Sequence, residues 1–176
     1  MEYKIIDPLK ISSEELPIIV LVDNRNAFIS WAIKSHSKGN YNHIAEVFKP
    51  GFVASQDPCG FHEVSLDKYM KPNVFLKFWK VKDITKGQQA DWLHNIESEL
   101  KKPWIKRRYD FMGIFGQLFN IRWFNNTWTK YCSEMVRSHI IDPLGLKIPV
   151  HITPTEFNDY FNNDPRFEVY GYWFMD

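Results

Sequence analysis

Short apolar runs bounded by turn-forming residues are the main pattern of this sequence, and they predict β-strands. Four segments have this character: 18–22, 43–48, 74–81 and 167–174. The turn-forming residues Lys49-Pro50-Gly51 predict a hairpin into a further strand that begins at Phe52. We predict that 74–81, the strongest of these patterns, lies near the centre of the sheet, and that 55–60 is a loop.

Apolar residues at helical spacing predict helices between these strands. They recur in 26–34, in 88–100 ahead of Pro103, in 132–141, and after Thr153-Pro154, where a cap precedes a proline at the first helical position. The apolar segment 110–124 reads as helix or loop packed on the core. The chain has no repeat and no long linker, so we predict one domain over 1–176, of α+β class, with a mainly antiparallel sheet and helices packed against it.

Composition narrows the classes of function. The 176 residues are 16% aromatic and carry a net charge of +1, which argues against a dedicated nucleic-acid binder. Two cysteines are too few for a disulfide framework. No apolar run approaches the ~18 residues of a spanning helix, and the first residues lack a signal-peptide pattern. We expect a soluble protein with no transmembrane segment and no secretion signal.

Cys132 is the first candidate for chemistry because it begins a predicted helix. Unpaired amides at a helix start carry partial positive charge, which favours the thiolate and lowers the pKa of a thiol. The same amides can bind an oxyanion. The alternative is a buried thiol that only packs, since free cysteine is among the most buried residue types.

A nucleophilic cysteine needs a base, and the base needs an orienting group. His43 is the best placed of the six histidines, because it follows a turn at the start of a strand and its ring is expected to project toward a packed helix. Ser55 or Gln56 on the next strand is expected to face that ring. Glu46 points to the opposite face of the strand.

Three other features of the sequence each allow two interpretations. Cys59 and His62 form a Cys-x-x-His pair that suits zinc together with His36 or His43, or else Cys59 is an ordinary loop thiol; no second close pair supports a metal. The basic stretch 101–108, which contains Trp104, is a solvated helix end or an anionic contact surface. The aromatic segment 111–128 is core or the lining of an apolar cleft.

Several of these segments together resemble a known family. They are Asn42-His43-Ile44-Ala45-Glu46-Val47, then Val53-Ala54-Ser55-Gln56, then Tyr109-Asp110, and finally Tyr131-Cys132-Ser133-Glu134-Met135-Val136. They resemble the circularly permuted NlpC-type papain-like superfamily, which includes YiiX-like hydrolases and relatives of lecithin retinol acyltransferase. In that family the histidine strand precedes the cysteine helix. Met135 stands where the family usually has leucine, and the resemblance spans roughly residues 17–174.

The resemblance implies a cysteine hydrolase or acyltransferase of papain-like fold that needs no cofactor and no metal. It implies Cys132 as nucleophile and His43 as base, with the third residue open between Ser55, Gln56 and neither of them. The expected substrate is a cell-wall peptide amide, with an isopeptide bond or a lipid-like acyl ester as the alternatives. The expected source is bacterial or bacteriophage, and the location cytoplasmic or phage-associated. The alternative is a non-catalytic binding or virion-associated module that keeps the fold.

Overall fold

A computed structural model describes residues 4–25, 40–57, 59–107, 132–149 and 152–175. Several sequence predictions concern residues outside these ranges. These are the helix at 26–34, the apolar segment 110–124, the aromatic segment 111–128, and the motif residues Tyr109, Asp110 and Tyr131.

Six strands form one sheet in the described residues. They are β1 (Ile18–Asn24), β2 (His43–Lys49), β3 (Phe52–Asp57), β4 (Gly60–Ser65), β5 (Val74–Val81) and β6 (Phe167–Phe174). The order across the sheet is β4-β3-β2-β1-β5-β6, and every neighbouring pair is antiparallel. The predicted strands are therefore confirmed, and so is the α+β class.

Two local predictions about the sheet are wrong. The segment 55–60 is not a loop, because β3 continues to Asp57 and β4 begins at Gly60. The turn-forming residues mark only the tight connection between two paired strands. Strand β5 is interior but lies next to the edge strand β6, so the centre of the sheet falls on β1 and β2.

Three helices belong to the described part of the chain. They are α1 (Lys86–Lys101), α2 (Cys132–Val136), which continues as a π-helical turn over Arg137–Ile141, and α3 (Pro154–Asn163). Thr85 and Thr153 each cap a helix through a reciprocal capping box, which satisfies amides that the first turn leaves unpaired. Within the described ranges, no helix has the length and apolar character needed to cross a membrane.

The sheet has an apolar core on each face. One core holds Ile44 and Phe48 of β2 together with Trp92 and Ile96 of α1 and residues of α2. The other holds Ala45 and Val47 of the same strand with Leu16, Leu66 and Trp173. Successive side chains of a strand point to opposite faces of the sheet, so adjacent residues of β2 belong to different cores.

Candidate functional site

His43 opens β2 and is bound by two hydroxyl groups. Its Nε2 lies 2.9 Å from the Ser55 hydroxyl and 3.4 Å from the Tyr69 hydroxyl, and those two oxygens are 2.8 Å apart. The ring also stacks on Tyr69 with 5.8 Å between centroids. Ser55 is fully buried, so three polar groups share one closed network at the start of the strand. Fixed in this way, the imidazole has one orientation.

A β-bulge decides which residue of β3 meets His43. Val47 pairs with Val53, whereas Lys49 pairs with Phe52, so the register shifts by one between Val47 and Lys49. On the His43 side of the bulge, where Val47 pairs with Val53, the side chains of Val53 and Ser55 lie on the same face of the sheet as His43.

Gln56 therefore lies on the other face. Its side-chain amide donates to the carbonyl of Arg107 at 3.4 Å. Of the two residues predicted as the third member, Ser55 contacts the ring, and the expectation that Gln56 faces it is wrong.

Burial controls the protonation of His43. Removal from water lowers the pKa of the imidazole from 6.5 to about 4, the charge of Asp57 raises it, and the charges of Lys68 and His62 lower it. The ring is therefore neutral at neutral pH, which is the state that a general base requires.

Cys132 begins α2 as predicted, but its thiol is buried and its pKa is not lowered. Burial raises the pKa of the Cys132 thiol to about 11. The backbone amides of Ile44, Ser133 and Cys132 itself lower the pKa because they favour the thiolate, and the charge of Glu134 raises the pKa further. The favourable amides predicted from the sequence are present, but desolvation outweighs them.

The thiol and the imidazole approach the same peptide from opposite sides of the sheet. The sulfur of Cys132 belongs to the core that contains the helices, whereas His43 alternates with Ile44 and faces the other way. The expectation that the His43 ring projects toward a packed helix is therefore wrong. Among the described residues no hydrogen bond joins Cys132 to His43, although Cys132 packs in the same core as Ile44, the next residue of β2.

Tyr69 is a member of the network that the sequence analysis missed. It follows the 3-10 helix Leu66–Lys68, whose first residue is buried in the core on the His43 side. Burial raises the pKa of the Tyr69 phenol, the hydrogen bond with Ser55 lowers it, and the charges of Asp57 and Cys132 raise it. No periodicity marked it, because its neighbours come from distant strands.

A second polar cluster lies on the helix face, around Glu46. This fully buried carboxylate accepts a hydrogen bond from the Trp92 indole at 2.7 Å and contacts Nδ1 of His139 at 2.7 Å. His139 is itself buried in the π-helical turn, and its Nε2 has no hydrogen-bond partner among the described residues. The prediction that Glu46 points away from His43 is confirmed.

Cys59 lies at the turn between β3 and β4, and His62 lies within β4. Cys59 is exposed, and the His62 ring contacts the carbonyl of Gly60 at 2.8 Å and the carboxylate of Asp57 at 3.5 Å. Within the described ranges, no group of three or more His, Cys, Asp or Glu side chains is arranged to hold a metal ion. His36 lies outside those ranges.

Comparisons with known proteins do not assign a family. No protein-family model matches the sequence, and no curated protein matches it.

Proposed function

We propose that the protein is a cysteine-dependent hydrolase or acyltransferase in which Cys132 is the nucleophile and His43 the general base. The observation that supports this best is that α2, which begins at Cys132, packs against β2, which begins at His43, with Cys132 and Ile44 in the same core. This packing places the thiol and an imidazole that is neutral at neutral pH and oriented by Ser55 on either side of the first peptide of β2, so catalysis requires the two groups to reach the same side of the strand. A nucleophile, a base and an orienting group are the three parts of such a site.

Both groups are neutral in the resting site, so proton transfer accompanies the attack. Nδ1 of His43 has no hydrogen-bond partner among the described residues, and it is the nitrogen that accepts the thiol proton. Nε2 then carries the other hydrogen and donates it to Ser55. The sulfur bonds to the carbonyl carbon of an amide or ester, and the imidazolium returns its proton to the departing amine or alcohol. Water or a second acceptor releases the acyl group from the thioester.

We further propose that the fold is the circularly permuted papain-like fold of NlpC type. The chain order supports it, because the strand that carries His43 precedes the helix that carries Cys132 and the sheet is antiparallel. On this proposal the substrate class is a cell-wall peptide amide, with a lipid-like acyl ester as the other member. A bacterial or bacteriophage source accompanies it.

Acylation by a simple activated ester tests the chemistry without knowledge of the substrate. We expect p-nitrophenyl acetate to leave an acetyl thioester on Cys132, located by peptide mass spectrometry. His43→Ala should slow this by about a hundredfold or more, the usual contribution of a general base. Cys59→Ala, which removes the exposed thiol, is the matched control and should change nothing at Cys132. Acylation of Cys132 that is equally fast without His43 would contradict the proposal.

A non-catalytic binding module is the second candidate, and one observation favours it. The raised pKa of Cys132, near 11, describes a thiol that packs rather than reacts. In that case the ester modifies Cys59 alone, and Cys132→Ala retains the fold with no activity to lose.

A further inference from the structure

The turn that follows α1 exposes two large apolar side chains among basic residues. Trp104 and Ile105 are 60% and 65% exposed, the two highest values among the exposed large hydrophobic residues of the described chain. They lie in a 3-10 helix over Trp104–Arg107. Lys101, Lys102 and Lys106 flank them and are exposed as well. We call the segment 101–107 the basic turn.

The basic turn is held in place by the body of the protein. The guanidinium of Arg107 donates to the carbonyl of Phe61 at 2.9 Å, and Gln56 donates to the carbonyl of Arg107. Within the turn, the amide of Lys106 donates to the carbonyl of Pro103 at 2.8 Å. The apolar pair is therefore presented by an ordered backbone, which reduces the entropy lost on binding.

The charges of the basic turn indicate which kind of partner would bind it. Lys101 and Lys102 are paired in part with Glu97 at 3.6 Å and Glu99 at 2.6 Å. Lys106 has no ion pair among the described residues, and its charge stands beside the two apolar side chains. A partner that accepts a tryptophan, an aliphatic side chain and adjacent cations together is an anionic lipid surface.

We propose that the basic turn docks on an anionic lipid bilayer, with Trp104 and Ile105 in the interface and the lysines at the headgroups. A single-stranded nucleic acid is the weaker match, because Ile105 offers no ring for base stacking and the net charge of the chain is only +1. The docking does not depend on the thiol chemistry proposed above. It gives Gln56 a role, because this side chain connects the turn to the strand that carries Ser55.

Vesicle flotation tests the proposal, with the Cys132→Ala protein as the background so that thiol chemistry plays no part. Vesicles with about 30% phosphatidylserine are compared with pure phosphatidylcholine. We expect binding to the anionic vesicles only, weakened by added salt. Trp104→Ser with Ile105→Ser should reduce binding at least tenfold, and Lys106→Gln about fivefold, the effect of one charge near the surface.

Leu9 offers a matched control. It is an exposed aliphatic residue in another 3-10 helix, Pro8–Lys10, beside the basic Lys10. Leu9→Ser with Lys10→Gln should bind vesicles like the parent. Absence of vesicle binding overturns the proposal, as does binding that survives the Trp104 and Ile105 changes. Binding to a single-stranded oligonucleotide in place of vesicles also overturns it.

Discussion

His43 and His139 lie on opposite faces of one sheet and show two ways of burying an imidazole. His139 contacts a carboxylate, Glu46, at 2.7 Å on the helix face. The His43 ring forms hydrogen bonds to hydroxyl groups alone among the described residues, those of Ser55 and Tyr69. Through the shared Glu46 carboxylate, His139 is linked to Trp92 of α1, and so this cluster holds elements together. The histidine without a carboxylate has a lowered pKa and a ring nitrogen available for chemistry.

The buried carboxylate of Glu46 therefore joins structural elements on the helix face. It lies on the same strand as His43, three residues further along, but on the opposite face of the sheet, so it does not contact the His43 ring. Changes at Glu46, His43, Ser55 and Tyr69 test this contrast between the two histidines.

The largest effect is expected from Glu46→Ala. This change leaves the Trp92 indole and the His139 ring without their shared partner inside the core. Breaking a buried pair by removing one member costs about 3–5 kcal/mol. Urea denaturation measures the loss in the free energy of unfolding. Glu63→Ala is the matched control, because Glu63 is an exposed carboxylate on β4 paired with Lys49, and it should cost less than about 1 kcal/mol. Equal losses in both variants would contradict the structural role of Glu46.

The second largest loss of stability is expected on acidification, because of the protonation of His43. The folded protein binds a proton at His43 only near pH 4, whereas the unfolded chain binds it near the ordinary value of 6.5. The stability that His43 confers is thus fully present above pH 6.5 and is lost as the pH falls from 6.5 to 4, by about 3 kcal/mol.

Denaturation in urea as a function of pH measures this loss. His43→Gln should flatten the slope between these pH values, whereas His94→Gln, at an exposed histidine of α1, should leave it unchanged. A slope that is the same in all three proteins would show that His43 titrates normally.

Local patterns predicted much of this molecule. The caps at Thr153 and the hairpin after Lys49 depend on adjacent residues, so both were visible in the sequence. The choice between Ser55 and Gln56 was not, because a bulge of one residue reverses the faces of β3. Tyr69 was invisible for a related reason, since it meets His43 across 26 residues of chain.

The pKa of the Cys132 thiol also could not be predicted from the sequence. The helix start at Cys132 predicts a lowered pKa, and the amides that would lower it do face the sulfur. The depth of burial decides the sign, and burial is a property of the whole fold. A sequence shows which groups are next to each other along the chain, but not how much water surrounds them.

Ser55→Asp sharpens the contrast by giving His43 the carboxylate that His139 already has. An opposite charge beside the imidazole favours its protonated form, so we expect the pKa of His43 to rise by about one to three pH units. Titration of the ring proton by NMR measures it. Ser55→Asn is the matched control, because asparagine has nearly the size of aspartate but no charge. It should leave the pKa of His43 low. If Asp and Asn act alike, the missing carboxylate is not what separates the two histidines.

The smallest effect on the free energy of unfolding is expected from Tyr69→Phe. Its main expected result is to reverse the direction of a hydrogen bond. In the proposed resting site Nε2 of His43 donates to Ser55, and the Ser55 hydroxyl donates to Tyr69, 2.8 Å away. Without the phenol oxygen, the Ser55 hydroxyl turns to the nearest acceptor, which is Nε2, and the ring hydrogen moves to Nδ1. We expect a loss of only about 1 kcal/mol in stability, but a reversal of the tautomer that disables His43 as a base toward Cys132.

Nitrogen-15 NMR of the histidine rings detects this reversal directly, because protonated and unprotonated ring nitrogens have distinct shifts. The parent should show hydrogen on Nε2 of His43, and Tyr69→Phe should show it on Nδ1, with acylation of Cys132 slowed in parallel. Tyr160→Phe removes a phenol that bonds to Asp164, far from the site in the chain, and should leave the His43 signals in place. Hydrogen on Nδ1 in the parent would mean that Tyr69 donates to Ser55. The resting site would then hold the tautomer that cannot accept the thiol proton, and the hydroxyl network would keep the thiol inactive until the ring is released.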